Sequence, residues 1–371
     1  MDHRNNGYTV LRMLAAALGA VAFLALGGCT EKAEPAKEEV AETLDYVWPV
    51  PPEQPRIRFV RSIAGPKDIG AVATRSLVST LLGEKEEAVA GMEKPYAVSA
   101  DSNGRIFVGE TALGKILVFD PENKKFDVWG QSGKGGLKQP LGVTVDGQDR
   151  VYVTDGIQKR VVVFDKDGKF LLAAGEAGEL ERPVGIAVDD SRGRIYVIDT
   201  AGHRIAIFDM AGKLVSTIGE RGNKPGQFNY PSNMALDRSG NLYVVDAMNF
   251  RIQILSPDGT PMKAFGRHAD LPGSVARPKG IGVDPDGNIY VVDAAFNNFQ
   301  IFNSEGALLL IVGEAGRGPG QFYLPAGAFL DAQGRFYVVD QFNRRVQVFQ
   351  YLGDSGVQPV PAEDSAESPQ Q

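Results

Sequence analysis

The sequence has one cysteine, three histidines and two tryptophans in 371 residues. One cysteine cannot form an intramolecular disulfide, and no second thiol is present to act as a nucleophile. A zinc site built on imidazoles needs about three histidines. Only His203 and His268 lie beyond the N-terminal segment. There is no G-x-S-x-G elbow, and no G-x-x-x-x-G-K-[ST] loop between a strand and a helix. Basic excess is also missing: Lys and Arg total 39 against 46 Asp and Glu, a net charge of −7. That balance excludes the basic footprint of a nucleic-acid-binding protein. The Asp-Gly hairpin segments, such as "DKDGK" and "DPDGN", lack the twelfth-position glutamate of a calcium loop. They read as turns between paired strands. No cofactor is expected.

The first 28 residues carry a targeting pattern. Arg4 and Arg12 precede the apolar run "MLAAALGAVAFLALGG", Met13 to Gly28, which stops at Cys29. The run is short for a membrane span and has small residues at its exit, as a signal peptide does. Its end, "LALGGC", resembles the bacterial lipobox, with Leu26 three residues before the cysteine. The resemblance implies cleavage before Cys29 and acylation of that residue, giving a lipid anchor of several chains. Loss of Asp2, Arg4 and Arg12, net +1, takes the mature chain from −7 to −8. Thr30 rather than aspartate follows the cysteine, which in Gram-negative lipoproteins permits transfer to the outer membrane. The expected organisation is therefore a signal over 1–28 and a linker over 29–54. A folded body over 55–352 follows, and then a polar, acidic tail over 353–371 too poor in apolar residues to order itself.

The body is a repeat. Prolines at 95, 140, 183, 231, 278 and 325 each open a unit such as "PVGIAVDDSRGRIYVIDTAGHRIAIFD", at spacings of 43 to 48 residues. Periods of that length mean a stacked or ring-shaped array. Each unit holds short runs rich in Val, Ile, Tyr and Phe, bounded by Gly, Asp and Asn, which read as hairpin-connected strands a, b and c. Units one to five add a fourth run, strand d, such as "KLVSTIG". The sixth unit lacks one. The isolated segment "PRIRFVRSIAG", 55–65, has the same apolar content and closing glycine. It is expected to supply the missing strand and close the ring. Four-stranded antiparallel units repeated radially make a β-propeller, here all-β with six blades. One short helical insert is expected over 66–94, with Val72, Leu77, Val78, Leu81 and Leu82 on one helical face.

These units resemble the NHL repeat, a six-bladed propeller family with the pattern P-x-G-I-A-V-D…G-N-I-Y-V-x-D…N-x-R-I-Q-x-F. The whole layout is similar to the NHL-repeat lipoproteins of Gram-negative bacteria. Six-bladed relatives include lactonases, strictosidine-synthase-like enzymes and streptogramin-type lyases, so the resemblance alone does not fix an activity.

One face should carry the b–c turns and the d–a connections. There each strand b ends in an acid: Glu110, Asp155, Asp199, Asp246, Asp293 and Asp340. A basic residue follows five positions on in all but the fifth unit. A catalytic pair is needed once, so six copies point to a structural role, with the acids accepting backbone N–H groups in the turns. The glycine-rich connections "GERGNKPGQFNYP" and "GEAGRGPGQFYLP" lead into strands and read as inter-blade turns. Candidate binding residues are those just after each proline, expected at the channel mouth: Tyr96, Ser232 and Lys279, with Asn233 beside them. His203 and His268 are candidates on the same face.

The expected function is that of an exported lipoprotein, anchored through Cys29 to a bilayer, with a monomeric propeller that binds an envelope protein or peptide. The expected location is the outer membrane, facing the periplasm. The alternative is a lactonase- or lyase-like enzyme at the channel mouth.

Overall fold

The structure, a computed structural model, describes residues 46–71, 91–175 and 178–353. Within them lie six antiparallel sheets arranged as the blades of a ring. Blade 3 illustrates the pattern. Strand a is Pro183–Asp189, b is Arg194–Asp199, c is Arg204–Asp209 and d is Leu214–Ile218. The innermost strands a begin at Pro95, Pro140, Pro183, Pro231, Pro278 and Pro325. Each packs against the next around the ring, and the sixth returns to the first.

Burial falls from the middle of each blade to the rim. The b strands Val151–Asp155, Leu242–Asp246 and Ile289–Asp293 are buried at every position, which explains their unbroken apolar runs. The d strands are more exposed, and Lys125–Trp129 alternates because one face meets water. Six separate apolar clusters fill the wedges, one per pair of neighbouring blades. At the centre the a strands come so close that a side chain would not fit. A Cβ on Gly142 would lie 2.1 Å from the Val184 carbonyl oxygen, and one on Gly327 would lie 2.6 Å from that of Tyr96.

The ring closes as expected. Ile57–Ile63 pairs antiparallel with Arg345–Tyr351, from Ile57 opposite Tyr351 to Ile63 opposite Val346. The register slips between Phe59 and Arg61, as it does in most of the other d strands. Closure removes an open sheet edge.

The segment from Tyr46 to Gln54, expected to belong to a linker, folds onto blade 6. Val47–Trp48 adds a fifth strand outside Ile57–Ile63. Aromatic packing holds it there. The Trp48 ring lies 5.9 Å from Phe349, and Tyr46 lies 6.2 Å from Phe59. Phe349 also touches Phe59, Phe299 and Phe322, so one fully buried ring joins blade 5, blade 6 and the closing strand. Burying such a side chain contributes about 3 kcal/mol.

Of the expected insert, Pro66–Ile69 is a single 3-10 turn. Its Asp68 carboxylate accepts from Ala64 N at 2.7 Å and Gly65 N at 2.9 Å. Ile69, Ala71 and Met92 are buried between blades 6 and 1, which roots both ends of the insert there. The apolar helical face expected from Val72 to Leu82 lies outside the described residues. So do Cys29, the signal segment and the acidic tail beyond Gly353.

Candidate functional site

The six acids ending the b strands are fully buried. They tie the b–c turns to the connection that enters the same blade. Asp155 accepts from Ile157 N and Gln158 N in its own turn, and from Lys138 N at 2.6 Å and Gln139 N at 3.3 Å ahead of strand a. Glu110 does the same, reaching Ala112 and Leu113 on one side and Glu93 and Lys94 on the other. Asp199 accepts from Glu181 N and Arg182 N, and Asp293 from Ala276 N and Arg277 N. In blades 4 and 6 the glycine-rich connections are longer than those of blades 2 and 3, and a side-chain network completes the tie. Asp246 accepts from Asn229 N at 2.7 Å, Asn249 Nδ2 at 2.8 Å, Arg251 Nε at 2.8 Å and Gln253 Nε2 at 3.0 Å. Asp340 repeats this with Tyr323, Asn343, Arg345 and Gln347. Arg251 also donates to the Lys224 and Gln227 carbonyls, which folds the glycine-rich connection onto the blade.

With the turns fixed, the side chains around them are set. The central channel, about 220 Å³, is lined by strand a of all six blades and is largely aliphatic below its opening. On the b–c face it widens into a mouth of about 540 Å³. Tyr96, Ser232 and Lys279 all line that mouth. Asn233 sits deeper, and its Oδ1 accepts from Met234 N at 2.8 Å.

The two histidines do not line the mouth. His203 is buried in the third b–c turn at φ +55°, in the left-handed position that Lys159, Phe250, Asn297 and Arg344 occupy in sister turns. Its Nδ1 accepts from Tyr230 N at 3.2 Å, and its ring lies 4.4 Å from Tyr230. Asn297 does the same job two blades on, its Oδ1 accepting from Leu324 N at 2.8 Å. His203 is thus a clamp between blades 3 and 4. His268 is exposed in the connection before blade 5, with its ring 4.4 Å from Phe250.

The residues just before each proline escaped the reading of the sequence. Blades 1, 3 and 5 place Lys94, Arg182 and Arg277 there, while blades 2, 4 and 6 place Gln139, Tyr230 and Leu324. Lys94, Arg182 and Tyr230 line the mouth. The second residue of each b–c turn alternates in the opposite sense. It is Ala112, Ala201 and Ala295 in the odd blades, but Ile157, Met248 and Phe342 in the even ones. These three large side chains are 62 %, 53 % and 58 % exposed. Tyr230 and Tyr323 are half-exposed on the same face, the latter 5.4 Å from Phe342.

Among the described residues the mouth lining contains Lys94, Arg182 and Lys279 and no carboxylate. Burial lowers the Lys279 ammonium below the usual lysine range, and the nearby positive charges of Arg277 and Arg182 lower it further. Burial raises the Tyr96 phenol, opposed by the same two arginines. Both groups therefore sense both guanidinium groups, although the four residues come from blades 1, 3 and 5. Among the described residues, no group of three or more His, Cys, Asp or Glu side chains converges as a metal-ligand set.

A family profile described as "6-bladed beta-propeller" matches residues 183–259 and 283–356. Solved structures of the same shape include a protein of unknown function from Bacteroides thetaiotaomicron. It is 16% identical, with 71% of this chain and 70% of that chain covered and a TM-score of 0.56. A gluconolactonase from Xanthomonas campestris is 17% identical over 70% of this chain and 86% of its own, at 0.54. Virginiamycin B lyase from Staphylococcus aureus is 15% identical over 70% and 95%, at 0.52. No curated protein matches by sequence. At these identities the likeness concerns the fold. The chain is a six-bladed β-propeller.

Proposed function

We propose that this protein is an NHL-type propeller lipoprotein. In this reading it is exported, acylated at Cys29 and held at the outer membrane facing the periplasm. As a monomeric ring it binds an envelope protein or peptide through the b–c face. The observation that carries the binding role is the trio Ile157, Met248 and Phe342. Three large apolar side chains stand out from rigid turns on alternate blades, with Tyr230 and Tyr323 beside them. Large apolar side chains exposed on one face are the kind of surface that partners cover, and aromatic and methionine side chains are the types enriched there. Sequence carries the anchoring role, through the lipobox-like "LALGGC".

Two experiments test this reading. In cell fractionation, Cys29→Ala is expected to move the protein out of the membrane fraction, and retention there would overturn the lipid anchor. In crosslinked pull-downs from native membranes, the intact protein is expected to capture one dominant envelope partner. An Ile157→Ser, Met248→Ser, Phe342→Ser variant of unchanged melting temperature is expected to lose it. Capture by both, or by neither, would overturn the docking face.

An enzymatic reading, a lactonase- or lyase-like reaction at the mouth, draws its support from Lys279. An amine with a lowered pKa is the form in which lysine serves as base or nucleophile. A panel of lactones and esters tests it, with turnover by the wild type and none by Lys279→Met as the supporting result.

A further inference from the structure

We propose that the channel mouth is a receptor for a small polyanion, a molecule bearing two or three carboxylate or phosphate groups. The inference concerns the mouth alone and holds whether or not a protein docks on the apolar rim. It starts from how cations reach the mouth. In blades 1, 3 and 5 the buried acid at the end of strand b accepts the backbone N–H of the residue before the proline, and that residue is Lys94, Arg182 or Arg277. The acids are thereby occupied by main chain, and the cationic side chains extend beyond them. Among the described residues, none of these three side chains, nor that of Lys279, has a carboxylate within ion-pair distance. Several other arginines of the blades are ion-paired, as Arg251 is with Asp246 and Arg335 with Asp331, while Arg160 and Arg194 donate to backbone carbonyls instead.

Unpaired like charges in a concave site destabilise one another and raise the local potential for an anion. Two neutral donors face the same space. The Ser232 hydroxyl is buried without a hydrogen-bond partner, and the Tyr96 phenol makes no hydrogen bond within the described residues. Cations with hydroxyl donors beside them are the equipment that holds carboxylate and phosphate oxygens. A volume of about 540 Å³ admits a small molecule. Of the three pre-proline cations, Lys94 and Arg182 line the mouth and Arg277 stands beside it, close enough for its charge to act on Lys279. Coming from blades 1, 3 and 5, they surround the opening, which matches a ligand with charges on several sides. A continuous acidic strand would instead need the charges in a row.

The test is isothermal titration of the full chain, solubilised in non-ionic detergent, with citrate and with inorganic pyrophosphate. Binding of either supports the proposal, and the one that binds tells carboxylate from phosphate. Affinity is expected to fall as sodium chloride is raised. An Arg182→Gln, Arg277→Gln double variant alters two exposed side chains. It is expected to weaken binding by about tenfold or more, since a hydrogen bond to a charged group is worth ~1.5–3 kcal/mol. Lys124→Gln, Lys125→Gln, on the far hairpin of blade 1, is expected to change it less than about twofold, as remote surface charges do. On wild-type protein bearing ¹³C-methylated lysines, citrate or pyrophosphate is expected to shift the Lys279 resonance and raise its titration midpoint. Binding of neither anion would overturn the proposal. So would equal weakening by the two double variants, an unmoved Lys279 resonance, or binding of a hexaglutamate peptide alone.

Discussion

Replacing Asp246 with alanine tests whether the six b-strand acids hold the ring together. The carboxylate is fully buried and accepts four hydrogen bonds, from Asn229 N, Asn249 Nδ2, Arg251 Nε and Gln253 Nε2. Alanine leaves all four donors without that acceptor, and a buried donor left unsatisfied costs about 1–3 kcal/mol. Arg251 and Asn249 are partly exposed and can recover water, whereas Asn229 N and Gln253 cannot do so without opening the turn. Removing one partner of such a buried pair typically costs about 3–5 kcal/mol. The folded ring has about 300 residues, and unfolding entropy is about 2.1 cal/mol/K per residue, or about 0.6 kcal/mol/K in total. The expected fall in melting temperature is therefore about 5–8 °C.

Asp293 provides the internal control. It shares one backbone tie with Asp246, Ala276 N standing where Asn229 N does, and adds Arg277 N and Ala295 N, but Asn298 stands where the other blades have a basic residue. Its alanine variant leaves no cation unpaired and is expected to lose only about half as much, about 2–3 kcal/mol. Differential scanning calorimetry measures both, and amide exchange at Asn229 reports the local opening. A fall below about 2 °C for Asp246→Ala would refute the structural role. So would a larger loss for Asp293→Ala than for Asp246→Ala.

Gly142→Ala is expected to lower the melting temperature clearly, because its Cβ would meet the Val184 carbonyl at 2.1 Å and neither backbone can retreat in a closed ring; an unchanged transition in calorimetry would contradict that packing. The Lys279 pKa is lowered in the folded state, so between its folded and unfolded values the unfolded chain binds more protons. Its contribution to stability therefore rises with pH through that window below 10.5 and falls as pH drops through the folded value. Lys279→Met is accordingly expected to raise the melting temperature at neutral pH, with the gain shrinking as pH approaches 10.5, and a pH-independent difference in thermal melts would count against it. Phe349→Ala removes a ring shared by two blades and the closing strand, and is expected to cost about 3–5 kcal/mol; urea titration showing less than about 1 kcal/mol would mean that blade 6 closes by other means.

Much of the architecture was legible because its constraints recur in phase. A strand buried on both faces, an acid at its end and a glycine where the a strands converge appear blade after blade. The missing fourth strand of unit six was legible for the same reason, as a gap in a series. Val47–Trp48 belongs to no series. Its placement depends on Phe349 and on the space above Gly320, where a Cβ would lie 2.3 Å from the Trp48 ring, some 270 residues further along the chain. Nothing in the local sequence encodes that meeting.

The site was legible only in part, and the reason is physical. Reading the repeats for what they share finds the scaffold, because a shared residue answers a shared geometric demand. The acids, the glycines and the left-handed turn position are of this kind. His203, a binding candidate from its place on the b–c face, has Lys159, Phe250, Asn297 and Arg344 as equivalents, yet its Nδ1 meets the same demand as the Asn297 carbonyl oxygen, an acceptor for an N–H across a blade boundary. Side-chain identity varies there while hydrogen-bonding capacity is kept at two of the positions. The converse holds at the mouth. The residue before each proline supplies its backbone N–H to the scaffold in blades 1, 2, 3 and 5, so its side chain is free of any folding duty. Three of the six such positions nonetheless carry a cation, on every second blade, and large apolar side chains occupy the turns of the blades between. Cations brought together without partners, Lys279 itself buried among them, raise the energy of the fold. A ring that holds them there gains nothing in stability from the arrangement. The alternation is therefore best explained by what the face binds, with charge recognised at the centre and apolar surface at the rim.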